Sequence, residues 1–169
     1  MPTRLPSLCR FSTNHQWSMA EILSDITYDH SDDSFWLVKM ISGKADSIEH
    51  RSRDGVILPG GFTTKKDMDI EAITVSTIDN TLWMSDVRSK SILHFNRLGN
   101  DLGDGFKIKE STGVFGMAHD PSDSTLRFIE TNARKLWHYS INGQMLNSGI
   151  DVLPVGRAWN FYQRVQGEN

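Results

Sequence analysis

Ile70-Glu71-Ala72-Ile73-Thr74-Val75, Leu82-Trp83-Met84-Ser85 and Ile92-Leu93-His94-Phe95 are three short apolar runs in the middle of the chain, parted by Thr77-Ile78-Asp79-Asn80 and Asp86-Val87-Arg88-Ser89-Lys90. Runs this short, rich in β-branched and aromatic residues, suit a pleated and partly buried strand. The breaks carry Asp, Asn and Ser, whose side chains bond nearby backbone N–H groups and so favour turns. After Phe95 the chain turns through Asn96 to Asn100, where Gly99 tolerates the positive φ that other residues resist. A ragged fourth segment then runs toward Phe106. Four short strands joined by tight polar turns read as an antiparallel meander.

The meander has two further copies. Ile26-Thr27-Tyr28-Asp29, Ile73-Thr74-Val75-Ser76 and Met117-Ala118-His119-Asp120 stand in register, followed in each copy by Asp32, Asp79 or Asp123 and then by Trp36, Trp83 or Arg127. Ile48, Ile92 and Leu136 recur at a spacing of 44 residues, as do Gly55, Gly99 and Gly143, and Phe62, Phe106 and Ile150. The earlier markers are spaced 47 and then 44, which places a three-residue insertion between Lys39 and Ile48 of the first copy, a change that a hairpin loop accommodates at small entropic cost. Four strands repeated at this period are the signature of a β-propeller blade. The expected architecture is all-β, an arc of three four-stranded antiparallel blades. The expected boundaries are an extension over 1–19 with room for a strand at Arg10 to Trp17, blades over 20–65, 66–109 and 110–153, and a partial strand or tail over 154–169. Met19 to Ser24 and Trp159 to Val165 could each make a turn or two of helix.

At Leu82-Trp83-Met84-Ser85-Asp86, Ser91-Ile92-Leu93-His94-Phe95 and Gly99, the chain resembles the NHL-type and gluconolactonase-like six-bladed propellers. Asp69-Ile70-Glu71-Ala72-Ile73 is similar to the opening of an inner strand in that family, with Ala72 where glycine is usual; the resemblance spans about residues 20–155. It implies architecture more than activity, because this fold hosts binders, lyases, lactonases and scaffolds. It also implies a channel mouth where carboxylates hold a divalent cation, calcium or magnesium by the hardness of oxygen ligands, that polarises substrate or activates water. Glu71 is the best match to such a ligand. Asp86 and Glu130, which share a repeat position at the end of the second strand, and Asp25, near the start of an inner strand, complete the candidate metal set. Against it, Asp86 and Glu130 can equally accept bonds within their own turns.

Three units leave too few residues for a fourth of the same length in a chain of 169, whereas propellers close with about four to eight blades. An open arc exposes apolar faces and strand edges that proteins normally cover. Two arcs about a two-fold axis would make a six-bladed ring, so a homodimer is expected. A longer parent propeller and an atypical fourth blade built from the ends are the alternatives.

Other chemistry finds little support. With 18 Lys+Arg against 21 Asp+Glu and a net charge of −3, the chain lacks the basic field that nucleic acid or an anionic membrane selects. Arg51-Ser52-Arg53 and Lys65-Lys66 are short and balanced by nearby acids. A single cysteine, Cys9, admits no intramolecular disulfide, and the chain shows no signal-peptide core and no run long enough for a membrane span; a cytoplasmic protein is the expectation. His50, His94 and His138 recur in register, but on three different sheets, too far apart for one metal; each is read as a half-buried imidazole bonding a neighbouring blade. Trp36, Trp83, Trp137 and Phe95 fit packing between blades. Trp17 and Trp159 lie outside the repeat and are the candidate ligand-binding aromatics. The function expected is a propeller module that binds a small molecule, glycan or protein at its channel mouth and completes its ring by self-association. The alternatives are a metal-dependent hydrolase or lactonase using Glu71, and a propeller lectin.

Overall fold

The computed structural model describes residues 22–40, 46–109, 113–130 and 133–152. Among them there are twelve strands and no helix. Blade 1 comprises β1 (Ile22–Asp29), β2 (Ser34–Met40), β3 (Ser47–Ser52) and β4 (Phe62–Thr63); blade 2 comprises β5 (Ile70–Ser76), β6 (Thr81–Asp86), β7 (Ser91–Asn96) and β8 (Phe106–Lys107). Blade 3 comprises β9 (Val114–Asp120), β10 (Thr125–Glu130), β11 (Lys135–Ser140) and β12 (Ile150–Asp151). Each is a four-stranded meander in chain order, antiparallel at every pairing. Ile22 to Ser24 belong to β1 rather than to a helical turn, because Ile22 and Leu23 pair with Met40 and Lys39. Trp17, Trp159, Cys9, the strand expected at Arg10 to Trp17 and the helical turn at Trp159 to Val165 fall outside the described residues.

The first hairpin of every blade turns through four residues, the last of them in the left-handed region: Asp33, Asn80 and Ser124 have φ of 59°, 62° and 55°. Short polar side chains make that conformation affordable by bonding locally. The inner strands lie side by side, β1 beside β5 and β5 beside β9, and β1 also approaches β9. The fourth strands are only two residues long and sit at the rim.

Packing between blades makes two cores. Trp36, Val38 and Ile48 of blade 1 meet Ile70, Ile73, Val75, Leu82, Met84 and Phe95 of blade 2. Ala72, Trp83, Ile92 and Ile108 of blade 2 meet Val114, Leu126, Phe128, Trp137 and Tyr139 of blade 3. Blade 2 is covered on both faces, so every residue of β6 is buried; this is why the middle copy reads as continuous apolar runs rather than as a strict alternation. The rings repeat as well. Phe62 of blade 1 stacks on Phe95 of blade 2, and Phe106 of blade 2 on Tyr139 of blade 3, both at 5.8 Å between centroids. Each of these phenylalanines is seated against the turn glycine of the following blade: a Cβ on Gly99 would stand 2.5 Å from Phe62 Cγ, and one on Gly143 2.6 Å from Phe106 Cγ.

Candidate functional site at the end of the inner strands

Where the inner strands finish, three blades open a cleft of about 520 Å³ lined by Thr27, Tyr28, His30, Ser31, Thr74, Val75, Thr77, His119 and Pro121. The lining follows the repeat. Tyr28, Val75 and His119 occupy one position of the unit; His30, Thr77 and Pro121 occupy another; Thr27 and Thr74 share a third. Side chains alternate along a strand, so repeat-equivalent residues of neighbouring inner strands come to one axis. The cleft therefore mixes threonine hydroxyls with a phenol and two imidazoles.

Its members are partly fixed. The backbone N–H of His119 donates to Thr74 Oγ1 at 3.1 Å, joining blade 3 to blade 2 at the cleft wall. Burial pushes the His119 imidazole below its usual range, against the opposing pull of Asp79, Asp120 and Asp123. A neutral imidazole offers one donor and one acceptor. Tyr28 packs edge-on against His30 at 4.5 Å. Its hydroxyl donates to the Asp33 carboxylate, and that bond is the main cause of a phenol held above its ordinary range.

The carboxylates singled out by sequence stand elsewhere. Asp86 pairs in register with Ile70 and Glu130 with Val114, at the N-terminal ends of β5 and β9, away from the cleft end. Asp86 accepts from the N–H groups of Asp69 and Arg88, and Glu130 accepts from Trp137 Nε1 at 3.4 Å. Asp25 clasps blade 1 to blade 2 by accepting the Ile73 N–H at 2.9 Å; burial is the main reason its carboxyl is raised. Glu71 is half-buried, and burial followed by Asp69 and Asp46 pushes its carboxyl up. Among the described residues no group of three or more His, Cys, Asp or Glu is gathered so as to hold a metal ion.

The histidines in register have a different role from the one their spacing suggested. His50 and His94 are buried, and each bonds within its own blade rather than to a neighbour. Nε2 of His50, His94 and His138 meets the hydroxyl of Ser34, Thr81 or Thr125 at 2.7, 2.7 and 2.9 Å. Those hydroxyls donate to Asp32, Asp79 and Asp123 of the first hairpin turn. On the other ring nitrogen, Nδ1, His50 meets the Pro59 carbonyl and His94 the Asp104 carboxylate, both at 2.8 Å. Trp36 and Trp83 stack flat on His50 and His94, at 4.3 and 3.8 Å, because each tryptophan is paired directly across from its histidine. The aspartates of the three turns thus accept a hydroxyl proton from two residues further on, and the relay ties the first turn of each blade to its second and third strands.

Two buried carboxylates lie between blades 1 and 2: Asp46, which accepts the Ile70 N–H at 2.8 Å, and Asp29. Asp29 is fully buried and accepts from Ser31 N (3.0 Å), Ser31 Oγ (2.7 Å) and Trp36 Nε1 (3.2 Å). Arg97 of blade 2 closes on it as an ion pair, also reaching Asp32 at 3.3 Å. Burial alone would raise the Asp29 carboxyl, but the two Ser31 bonds, Arg97 and Trp36 together hold it below the usual carboxylate range.

No protein-family model and no curated protein sequence matches the chain. Solved structures do. A catalytically inactive histidine-to-alanine variant of virginiamycin B lyase from Staphylococcus aureus, with quinupristin, is 20% identical over 79% of this chain and 42% of that one, with a TM-score of 0.54. The Dos1 propeller is 12% identical over 74% of this chain and 32% of its own, with a TM-score of 0.54. The chain has the β-propeller fold. A putative 6-phosphogluconolactonase from Bacteroides uniformis matches at 14% identity and a TM-score of 0.55, over 75% of this chain and 42% of that one. The chain spans less than half the length of each of these three propellers.

The cleft residues Tyr28, His30, Thr74 and His119 carried no sequence motif. The available signal was the repeat itself: the position that is valine in the middle copy is tyrosine in the first and histidine in the third, a departure from apolar filling at a place on the axis.

Proposed function

We propose that this chain is a ligand-binding propeller module whose site is the cleft at the C-terminal ends of the inner strands, within a ring completed by a second copy. The observation that carries the binding reading is the convergence of three blades on one cleft of about 520 Å³ with hydroxyls, a neutral imidazole and aromatic edges. Such a set suits an uncharged polyhydroxylated molecule or a short glycan: threonine hydroxyls and imidazole exchange hydrogen bonds with sugar hydroxyls, and ring faces cover C–H surfaces. The ring reading is supported by an apolar residue left uncovered on blade 1. Ile73 of blade 2 is 1% exposed against blade 1, whereas its repeat equivalent Ile26 is 50% exposed.

The test is amide chemical-shift mapping with neutral mono- and disaccharides at millimolar concentration. Shifts confined to Thr27, Thr74, Thr77 and His119, lost in a Thr74→Val, His119→Phe double variant, support the site. An absence of shifts there for every sugar, or shifts elsewhere that survive the variant, overturns it. A second reading, a metal-dependent hydrolase, rests on Glu71, whose carboxyl is raised by burial and then by its neighbours Asp69 and Asp46 and whose charge a calcium or magnesium ion would relieve. Calorimetric titration with calcium chloride separates the two: heat that disappears in Glu71→Gln favours the hydrolase, and no heat removes it.

A further inference from the structure

The two junctions between blades obey a rule that the two open faces of the arc also satisfy. At the junction of blades 1 and 2, the position held by Asp29 is faced by Arg97 of the following blade. At the junction of blades 2 and 3, the repeat equivalent of Asp29 is Ser76 and that of Arg97 is Ile141, an uncharged residue on each side, with Ile141 packed against the second core. Acid is met by arginine, and a neutral residue by an apolar one. The third members of the two series are Asp120 on the back of blade 3 and Arg53 on the front of blade 1.

Both are more exposed than their counterparts at the closed junction, although Asp120 accepts from Ser122 N at 3.0 Å and Ser122 Oγ at 2.6 Å in its own turn. Arg53 is 66% exposed and, among the described residues, pairs at 3.3 Å with the exposed Asp33 of its own blade, a contact of little worth in water. Asp120 and Asp123 share one guanidinium, that of Arg127, at 3.1 and 3.4 Å. Arg127 stands where Trp36 and Trp83 stand in the other blades, so blade 3 presents two carboxylates to one cation. The apolar half of the junction repeats too. Gly55 has a φ of 81°, beside 82° and 78° for Gly99 and Gly143, the two glycines on which Phe62 and Phe106 are seated. The equivalent of those phenylalanines in blade 3 is Ile150, 59% exposed. A second arginine departs from the pattern: Arg51 replaces the aromatic of Phe95 and Tyr139, so Ile150 would lie on the stem of an arginine rather than on a ring.

The geometry points to a latch between two copies of this chain, in which Arg53 of one copy enters the Asp120–Asp123 pair of the other and Ile150 settles over Gly55. This rests on the ring-completion reading above and names the residues that perform it. A two-fold axis makes the latch twice per dimer, blade 3 of each copy against blade 1 of its partner.

The test is sedimentation of the full 169-residue chain over about 1–100 µM, a range that brackets micromolar association, for the unchanged protein, Arg53→Met, Asp120→Asn and the double variant. All are surface changes whose fold is checked by far-ultraviolet dichroism. The expected result is twice the chain mass for the unchanged protein. Each single variant should raise the dissociation constant roughly tenfold per junction and so about a hundredfold per dimer, and the double variant should do no more than either single, as coupled partners do. A dimer whose affinity ignores both variants, or in which the two losses simply add, overturns the latch while leaving ring completion standing. A monomer throughout, whether because these faces are covered by the chain's own ends or by another protein, overturns both.

Discussion

Replacing Arg97 by methionine removes the cation paired with a fully buried carboxylate, and the cost can be worked from the junction itself. Breaking a buried ion pair by deleting one partner costs about 3–5 kcal/mol, because the surviving charge is stranded. Asp29 is not wholly stranded: Ser31 N, Ser31 Oγ and Trp36 Nε1 remain at 3.0, 2.7 and 3.2 Å. Arg97 is itself 17% exposed, so water can reach part of the gap. Against this, the guanidinium also lies 5.8 Å from the Trp36 ring centre, a contact worth about 0.5–1 kcal/mol. The balance is a loss of about 2–3 kcal/mol. With a urea slope of about 2 kcal/mol per molar for a domain of this size, the unfolding midpoint should fall by about 1–1.5 M. Asp29→Asn measured in the same way closes a double-mutant cycle whose coupling should be near 2 kcal/mol. The pH dependence gives an independent check. Because the Asp29 carboxyl is held below its ordinary value, the folded state binds its proton less readily than the unfolded chain. Its contribution is therefore present above about pH 4 and lost as pH falls through the lowered value; in Arg97→Met this acid loss should be shallower. A midpoint shift worth less than about 0.5 kcal/mol, or a coupling energy indistinguishable from zero, would refute the view that the junction is organised around this charge.

Gly99→Ala and Gly103→Ala separate backbone strain from the seat of Phe62. Both glycines have positive φ, but a Cβ on Gly103 meets nothing within 4 Å while one on Gly99 meets the Phe62 ring at 2.5 Å; thermal unfolding should show a loss of about 1 kcal/mol for Gly103→Ala and at least about 2 kcal/mol more for Gly99→Ala, and equal losses would contradict the seat. Thr81→Val removes the hydroxyl that links His94 to Asp79 and should cost about 1–2 kcal/mol by leaving the buried Nε2 of His94 without its hydroxyl, although Nδ1 keeps Asp104 at 2.8 Å. Thr125→Val, beneath the more accessible His138, should cost less, and the reverse order would count against the relay. For His119, burial lowers the imidazole's proton affinity, so the unfolded chain binds the proton first as pH falls. Its contribution is complete above the ordinary histidine value of about 6.5 and shrinks below it. The stability difference between the unchanged protein and His119→Gln, followed by urea unfolding from pH 8 to 5, should move in that sense; a difference independent of pH would remove the assignment.

The strands of blade 2 were legible almost to the residue: the run Ile70 to Val75 is β5 but for Ser76, and Leu82 to Ser85 lies inside β6. They were legible because both faces of this blade are covered, so burial wrote a continuous apolar run. The relay of His94, Thr81 and Asp79 was half visible, as a histidine and a turn aspartate each recurring in register. Its direction was not, since choosing between a bond within the blade and one to the next requires knowing which way the imidazole leans from its strand. The cleft was invisible to motif reading, because Tyr28, Thr74 and His119 are 46 and 45 residues apart in the chain and belong to no local pattern.

Read alone, the chain determines its units: turn chemistry at Asp33, Asn80 and Gly99 and the recurrence every 44 residues are local instructions, each satisfied within one hairpin or one blade. The tertiary structure decides what the blades say to one another. Asp29 meets Arg97 across 68 positions of sequence, and His119 meets Thr74 across 45, only because adjacent sheets pack face against face around an axis. Periodicity states that positions are equivalent; it takes the packing angle between sheets to make equivalent positions neighbours.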